Sequence, residues 1–191
     1  MPENSPEGNT APEMRLRQVG IVKSPIKEPN LIARAGDLEN RSRITRARND
    51  REVISELVID NDFSGIVDGT EGFSHLLVLY WAHRVASEGR SLVKGHPMGR
   101  KDLPLVGIFA TRSPARPNPV CATVVRLLER KGNILKVQGL DAVDGSPVID
   151  IKCYLPYYEA IGEVKLSGWM EQINREFADG SITGSDCGEK Q

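Results

Sequence analysis

The sequence predicts a mainly β protein: one small single-domain β-barrel of about seven strands with a peripheral helix, and not a Rossmann fold. Three observations predict it. Short apolar or alternating runs recur at close, irregular spacing between residues 16 and 152, as the strands of a curled sheet or barrel do. These runs do not alternate with helices of crossover length, so nothing is present to build a parallel βαβ sheet. A single late segment, 166–177, carries apolar residues at helical spacing: Leu166, Met170, Ile173 and Phe177.

Taken in order, residues 1–14 are rich in Pro, Glu, Asn and Ser and read as a disordered tail. Residues 16–22 alternate like a strand and run into Ser24-Pro25, a turn signal. Residues 26–52 read as polar and irregular, with an arginine-rich insert at about 30–52. There Arg34, Arg41, Arg43, Arg46, Arg48 and Arg51 stand against Asp37, Glu39 and Asp50. This excess suits either a solvated segment or an arm that reaches for phosphates. Residues 56–60 read as a strand, 68–75 as a glycine-rich turn and 76–82 as a buried strand. A long loop is expected over 84–103 and a strand over 105–109. Residues 120–128 and 133–138 read as two antiparallel strands joined at Arg130-Lys131-Gly132-Asn133, and 147–152 as a further strand. The domain is expected over 15–162, with the helix and a frayed tail over 163–191.

Composition narrows the function. The 191 residues suit one domain, and a net charge of -1 excludes a uniformly basic nucleic-acid binder while leaving room for a basic face. Three cysteines, an odd number without C-x-x-C spacing, argue against a disulfide framework and a cysteine zinc site. Cys121 and Cys153 lie in apolar runs and are expected to be buried, inert thiols. The three histidines lack metal-ligand spacing, so no metal is expected. There is no signal-peptide pattern at the N-terminus and no apolar run near the ~20 residues of a membrane span, which predicts a cytoplasmic protein without membrane contact.

The run from Gly107 to Pro119 is the most informative stretch. Pro114, Pro117 and Pro119 remove three backbone donors, fix three φ angles and force the preceding residues to extended geometry. A stiff loop carrying Arg112 and Arg116 suits either a plain surface connection or a preorganised holder of an anion or polar cofactor. Other polar groups accompany apolar strands: Glu71 to His75, His83-Arg84, and Leu140 to Tyr157. Each has a bland reading too. His75 suits a strand cap, Asp144-Gly145-Ser146-Pro147 is a competent turn, and Asp150 and Lys152 share one side of a strand where both would be solvated.

Together and in this order, Gly20 to Pro25, Glu71 to Leu76, Gly107 to Pro119 and Leu140 to Tyr157 resemble the TsaA-like, or TrmO, family. The resemblance spans about residues 16–160. It implies a non-Rossmann β-barrel methyltransferase that uses S-adenosyl-L-methionine. The expected product is methylated N6 of the threonylcarbamoyl-adenosine next to the tRNA anticodon. It also implies a homodimer with the cofactor near the interface, and the anticodon stem-loop as partner.

With the resemblance, Arg112 and Ser113 are expected on the cofactor, His83 and Arg84 as further contacts, and Leu140, Asp141, Ser146 and Pro147 as the opposing wall. Asp144 and Asp150 are the candidates for positioning or proton acceptance, with His75 as an alternative base. Arg116 and Asn118 are expected either to orient the loop or to meet phosphate. Lys152, Arg46 and Arg48 are assigned to RNA. Two features depart from the family pattern: Cys153 stands where a proline usually precedes Tyr154, and residues 29–51 do not match the usual short loop. The short tail after residue 160 predicts that no further C-terminal domain follows. The alternatives are an S-adenosylmethionine-binding sensor or RNA-binding module without catalysis, and a small-molecule methyltransferase.

Overall fold

In a computed structural model of the chain, residues 14–41, 50–159 and 162–179 are described. Ten strands form in chain order: β1 (Gly20–Lys23), β2 (Leu31–Arg34), β3 (Asp37–Asn40), β4 (Ile54–Ile59), β5 (His75–Trp81), β6 (Lys94–Gly95), β7 (Val106–Gly107), β8 (Val120–Lys131), β9 (Ile134–Gln138) and β10 (Pro147–Cys153). Among the described residues, three α-helices accompany them: α1 (Ser87–Arg90), α2 (Pro156–Glu159) and α3 (Gly168–Asp179).

Six strands close into a barrel in the order β1-β10-β5-β8-β9-β4, every pair antiparallel. The expected count of about seven is thus six in the barrel, with four short strands outside it. Residues 16–22 and 147–152 alternate in sequence, and in the apolar run of β5 the pleat alone sorts the two faces. In β5, Leu76, Val78 and Tyr80 point inward at 0%, 0% and 4% exposure, while Leu77, Leu79 and Trp81 face the half-covered outside. Val22, Leu57, Val125, Leu135, Val137 and Val148 fill the rest of the interior. Gly20 makes closure possible: a Cβ there would lie 2.4 Å from the Val58 carbonyl oxygen, so β1 meets β4 only because glycine has none.

Two expectations change outside the barrel. Residues 26–52 are not wholly irregular, because β2 and β3 form a hairpin whose turn places Ala35 and Gly36 at φ of 51° and 75°. That pair of positive φ values is the twist-matched two-residue turn, and the alanine hides it from a sequence search for Asn-Gly or Gly-Gly. Residues 105–109 are not one strand. Only Val106–Gly107 pair, with β6, and a 3₁₀ turn follows over Ile108–Ala110, where Thr111 bonds the Ile108 carbonyl through both its amide and its hydroxyl. Ile108 thereby reaches a second small core with Leu38, Leu92 and Ala115. This core roofs one end of the barrel.

The late helix forms as α3, with Ile173 buried and Met170 and Phe177 half-buried. Arg100 of the long loop holds it by bonding both carboxylate oxygens of Glu176. No described helix is long and apolar enough to cross a membrane.

Candidate functional site

A cleft of about 630 Å³ opens at the roofed end of the barrel. Antiparallel register puts the end of β5 beside the starts of β8 and β10: Trp81 faces Val120, and Tyr80 faces both Cys121 and Val148. Tyr80 of β5, Val120 to Thr123 of β8, and Asp141, Val143 and Ser146 from the segment before β10 supply the floor. The hairpin lines the cleft with apolar groups through Leu31, Ile32 and Ala33, and the proline loop through Pro114 and Ala115, with Leu31, Ala33 and Ala115 packed in the same small core. The size and the mix of apolar walls with a few convergent polar groups suit a nucleoside-sized ligand.

The floor carries one carboxylate. Tyr80 Oη donates to Asp141 Oδ1 at 3.0 Å, and Thr123 Oγ1 donates to the same oxygen at 2.6 Å. Burial, reinforced by the Asp141 charge, pushes the Tyr80 phenol far above its ordinary range, so it stays a donor. Burial and the same carboxylate also push the Cys121 thiol up, so it stays neutral.

At the rim, His83 Nδ1 lies 3.2 Å from the hydroxyl of Ser146, which is 1% exposed. Burial first, and then the Arg84 charge, hold His83 below its ordinary 6.5, against the opposing pull of Asp144. Its imidazole is therefore neutral at pH 7. Arg84 donates to Glu28 at 2.8 Å, an exposed pair that contributes little to stability.

The proline loop is braced from within. Thr111 Oγ1 accepts from the Ser113 amide, and Ser113 Oγ accepts from the Ala115 amide. Arg116 folds back, its Nε donating to the Ser113 carbonyl at 2.7 Å and its Nη2 to the Thr111 carbonyl at 2.9 Å. Its guanidinium lines the cleft but mostly orients the loop. Arg112 is tethered by a bond from Nη2 to the Ala122 carbonyl and stays exposed at the cleft edge.

The structure thus gathers His83, Arg84, Arg112, Asp141 and Ser146 around one cleft, with Arg116 beside them. Ser113 is buried within its loop and Leu140 lies wholly inside the barrel core, while Pro147 begins β10 behind Ser146. Asp144 flanks the cleft without lining it. Its carboxylate accepts from Lys27 Nζ at 2.8 Å and from the Ser24 amide at 2.9 Å, and these bonds, led by Lys27, hold it below the usual carboxylate range. It pins the segment after β1 to the turn before β10.

Other predicted residues are placed elsewhere. His75 starts β5, six residue steps or about 20 Å from Trp81 at the cleft end. There it contacts Ser74 Oγ at 2.9 Å and the edge of Tyr154. Asp150 sits at the irregularity where β10 pairs with β5, bonded to Lys152 Nζ at 2.6 Å and to the Ile151 amide. Asn118 is exposed at the end of the proline loop. Arg46 and Arg48 lie outside the described residues. Cys153 is exposed rather than buried, since the barrel ends beside it, and Cys121 is half-buried under the cleft. Among the described residues, no three His, Cys, Asp or Glu side chains are grouped to hold a metal ion.

Sequence reasoning missed Tyr80 and Thr123. A tyrosine among inward apolar residues was the available signal, because a buried phenol needs a partner for its hydroxyl.

Comparison with known proteins agrees with this architecture. The chain is 40% identical over 161 residues to a probable S-adenosyl-L-methionine-binding protein of Archaeoglobus fulgidus, covering 84% of this chain and 39% of that longer protein. It is 44% identical over 149 residues to a probable S-adenosyl-L-methionine-binding protein of Methanothermobacter thermautotrophicus, covering 78% of this chain and 93% of that one. It is 34% identical over 158 residues to the tRNA (adenine(37)-N6)-methyltransferase of Escherichia coli, covering 80% of this chain and 63% of the enzyme. The crystal structure of TrmO from Pseudomonas aeruginosa superposes with a TM-score of 0.58 at 26% identity, over 80% of this chain and 61% of that one. Residues 22–160 match the family of the tRNA-methyltransferase O N-terminal domain. With most of its length inside that match, and with the barrel and cleft in place, the chain belongs to the TrmO family.

Proposed function

We propose that this protein is an S-adenosyl-L-methionine-dependent methyltransferase that modifies N6 of threonylcarbamoyl-adenosine beside the tRNA anticodon. The observation that carries the reading is the cleft itself: one fixed carboxylate on its floor, guanidinium groups at its edge and apolar walls between. This donor set fits a zwitterionic nucleoside cofactor, and relatives in the same family are named for binding it.

When bound, S-adenosylmethionine supplies an activated methyl group on a sulfonium. The chain's residues do the rest. Arg112 takes a carboxylate or stacks on a planar base. Asp141 accepts hydrogen bonds from hydroxyl or amine donors, since a carboxylate set against the sulfonium would stabilise the ground state more than the transition state. The buried Leu140 and the half-buried Pro147 fix the backbone of that wall, and Ser113 fixes the proline loop. His83 is a neutral imidazole at the cleft, and its Nε2 takes the proton-accepting role that His75 is too distant to fill. Asp144, ionised beside it, and Asp150 serve as positioning groups. Exposed basic side chains outside the cleft, Lys152 among them, meet the RNA backbone, with Asn118 at the loop tip.

The full reading includes a cytoplasmic homodimer. Exposed Phe109, Leu105 and Val93 on and beside the β6–β7 ribbon, next to the Arg112 loop, support a second copy there.

Nucleoside mass spectrometry tests the reaction. Purified protein and cofactor are incubated with tRNA carrying the threonylcarbamoyl group and with tRNA lacking it. One added methyl on the modified adenosine alone is the expected result; no added methyl on either tRNA overturns the reading. A second reading, a cofactor-binding module without transfer, is favoured by the binding-protein names of the two archaeal relatives. Cofactor binding without any product would establish it.

A further inference from the structure

The cleft floor is an array of two hydroxyls on one carboxylate oxygen. Its members come from three separate segments: Tyr80 from β5, Thr123 from β8, and Asp141 from the loop between β9 and β10. The Tyr80 ring is clamped in the barrel core at 4% exposure, so its hydroxyl emerges in one direction only. Thr123 lies two residues beyond Cys121, the cross-strand partner of Tyr80, so its β-branched side chain stands over the same patch of floor. Both donors converge on Asp141 Oδ1, at 3.0 and 2.6 Å, and Oδ2 has no protein partner among the described residues. Asp141 lines the cleft and is exposed to it.

An aspartate on an open loop would otherwise sample several rotamers, and a ligand would have to freeze them. Two donors on one oxygen remove that freedom before anything binds, and they leave a single acceptor edge for the ligand. The phenol is protonated throughout the working range of pH, so the lock does not open by titration.

We propose that Tyr80 and Thr123 are positioning residues that lock the Asp141 carboxylate, so that its Oδ2 accepts an O–H or N–H donor of the bound cofactor. This rests on the S-adenosylmethionine reading above. Two parts of that cofactor offer such donors, the ribose diol and the methionine ammonium.

Calorimetric titration separates the outcomes. The probes are S-adenosylhomocysteine and 5′-deoxy-5′-methylthioadenosine, which keeps the ribose but lacks the amino-acid arm. The proteins are wild type, Tyr80→Phe, Thr123→Val, Thr123→Ser, Asp141→Ala and the Tyr80→Phe/Asp141→Ala double variant. Tyr80→Phe and Thr123→Val are each expected to weaken S-adenosylhomocysteine about tenfold, the scale of one hydrogen bond to a charged group. Thr123→Ser retains the donor and binds as wild type does. In the Asp141→Ala background, where no acceptor oxygen is left, Tyr80→Phe adds no further loss, because it acts only through that carboxylate. An equal loss with methylthioadenosine assigns Oδ2 to the ribose, and a loss confined to S-adenosylhomocysteine assigns it to the ammonium. The inference is overturned if Tyr80→Phe and Thr123→Val bind both probes as wild type does, or if Tyr80→Phe costs as much in the Asp141→Ala background as it does alone. A wild-type protein that binds neither probe instead removes the cofactor reading, and this inference with it.

Discussion

His83 and Ser146 join the end of β5 to the start of β10 across the rim of the cleft, imidazole Nδ1 to hydroxyl at 3.2 Å. Ser146 is buried and His83 is only half covered, so the serine anchors and the histidine presents its other nitrogen. Burial and the Arg84 charge hold His83 below its ordinary value, and the consequence for stability has a definite sign. A histidine with a folded-state value below its ordinary 6.5 binds fewer protons folded than unfolded as pH falls through that range. Stability from His83 is therefore full above 6.5 and declines as pH falls through 6.5 towards the folded value. Thermal melts at pH 7.5 and pH 5.5 are expected to show a drop in wild type that His83→Gln reduces. An unchanged drop would show that His83 contributes nothing to it. Asp144, with its lowered value, acts in a separate window, losing its contribution only below its ordinary 3.8.

Arg112 is exposed and tethered by one bond to the Ala122 carbonyl, so little of the fold depends on it. Arg112→Ala is expected to weaken S-adenosylhomocysteine at least tenfold while the melting temperature stays within about 2 °C. Arg112→Lys restores little, since an ammonium has neither the planar fork nor the stacking face. Full affinity in Arg112→Ala would remove it from the site.

At Gly20, β1 packs directly against the backbone of β4. Gly20→Ala places a methyl 2.4 Å from Val58 O and 2.9 Å from Ile59 Cα, both backbone atoms of a paired strand. Overpacking of this kind costs about 3 kcal/mol. Urea unfolding should show that loss, and a cost below about 1 kcal/mol would mean that the two strands separate easily.

Gly99 acts on the cleft rather than the barrel. It has φ of 72°, and a Cβ there would lie 2.9 Å from Asn40 N and 3.0 Å from Leu38 O. Gly99→Ala is expected to displace the hairpin that carries Leu31, Ile32 and Ala33, and so to weaken cofactor binding more than stability. Parallel titrations and melts check the order of the two effects.

Arg100→Ala removes the link from the long loop to Glu176. Hydrogen exchange over 168–179 is expected to quicken while the barrel amides keep their protection. Equal loss in both would mean that α3 is integral to the core.

The barrel is legible in the sequence because its signals are local: residues 16–22 and 147–152 alternate with period two, and 76–82 form a short continuous apolar run. The hairpin β2–β3 is not. It has three half-buried apolar residues on one strand and an alanine in its turn, and Leu38 becomes core only through Leu92, Ile108 and Ala115, which arrive from far along the chain. The cleft residues near the proline loop and the turn before β10 can be named from motif, but their partners cannot. For Arg116 the sequence leaves loop orientation and phosphate contact both open, and only the fold shows the two carbonyls of its own loop within reach. His75 and His83 look alike in sequence. The seven-residue length of β5 sends them to opposite ends of the barrel.

Closure of the barrel has a consequence for how this protein meets its neighbours. An open sheet of such apolar strands would offer a free row of amides and carbonyls at each edge, a template on which other chains add strands. Here β1 meets both β4 and β10, and the ring has no first or last strand. Strand edges remain, among the described residues, only on the β2–β3 and β6–β7 ribbons. Concentrated protein should therefore resist cross-β assembly, and association should proceed through side-chain faces.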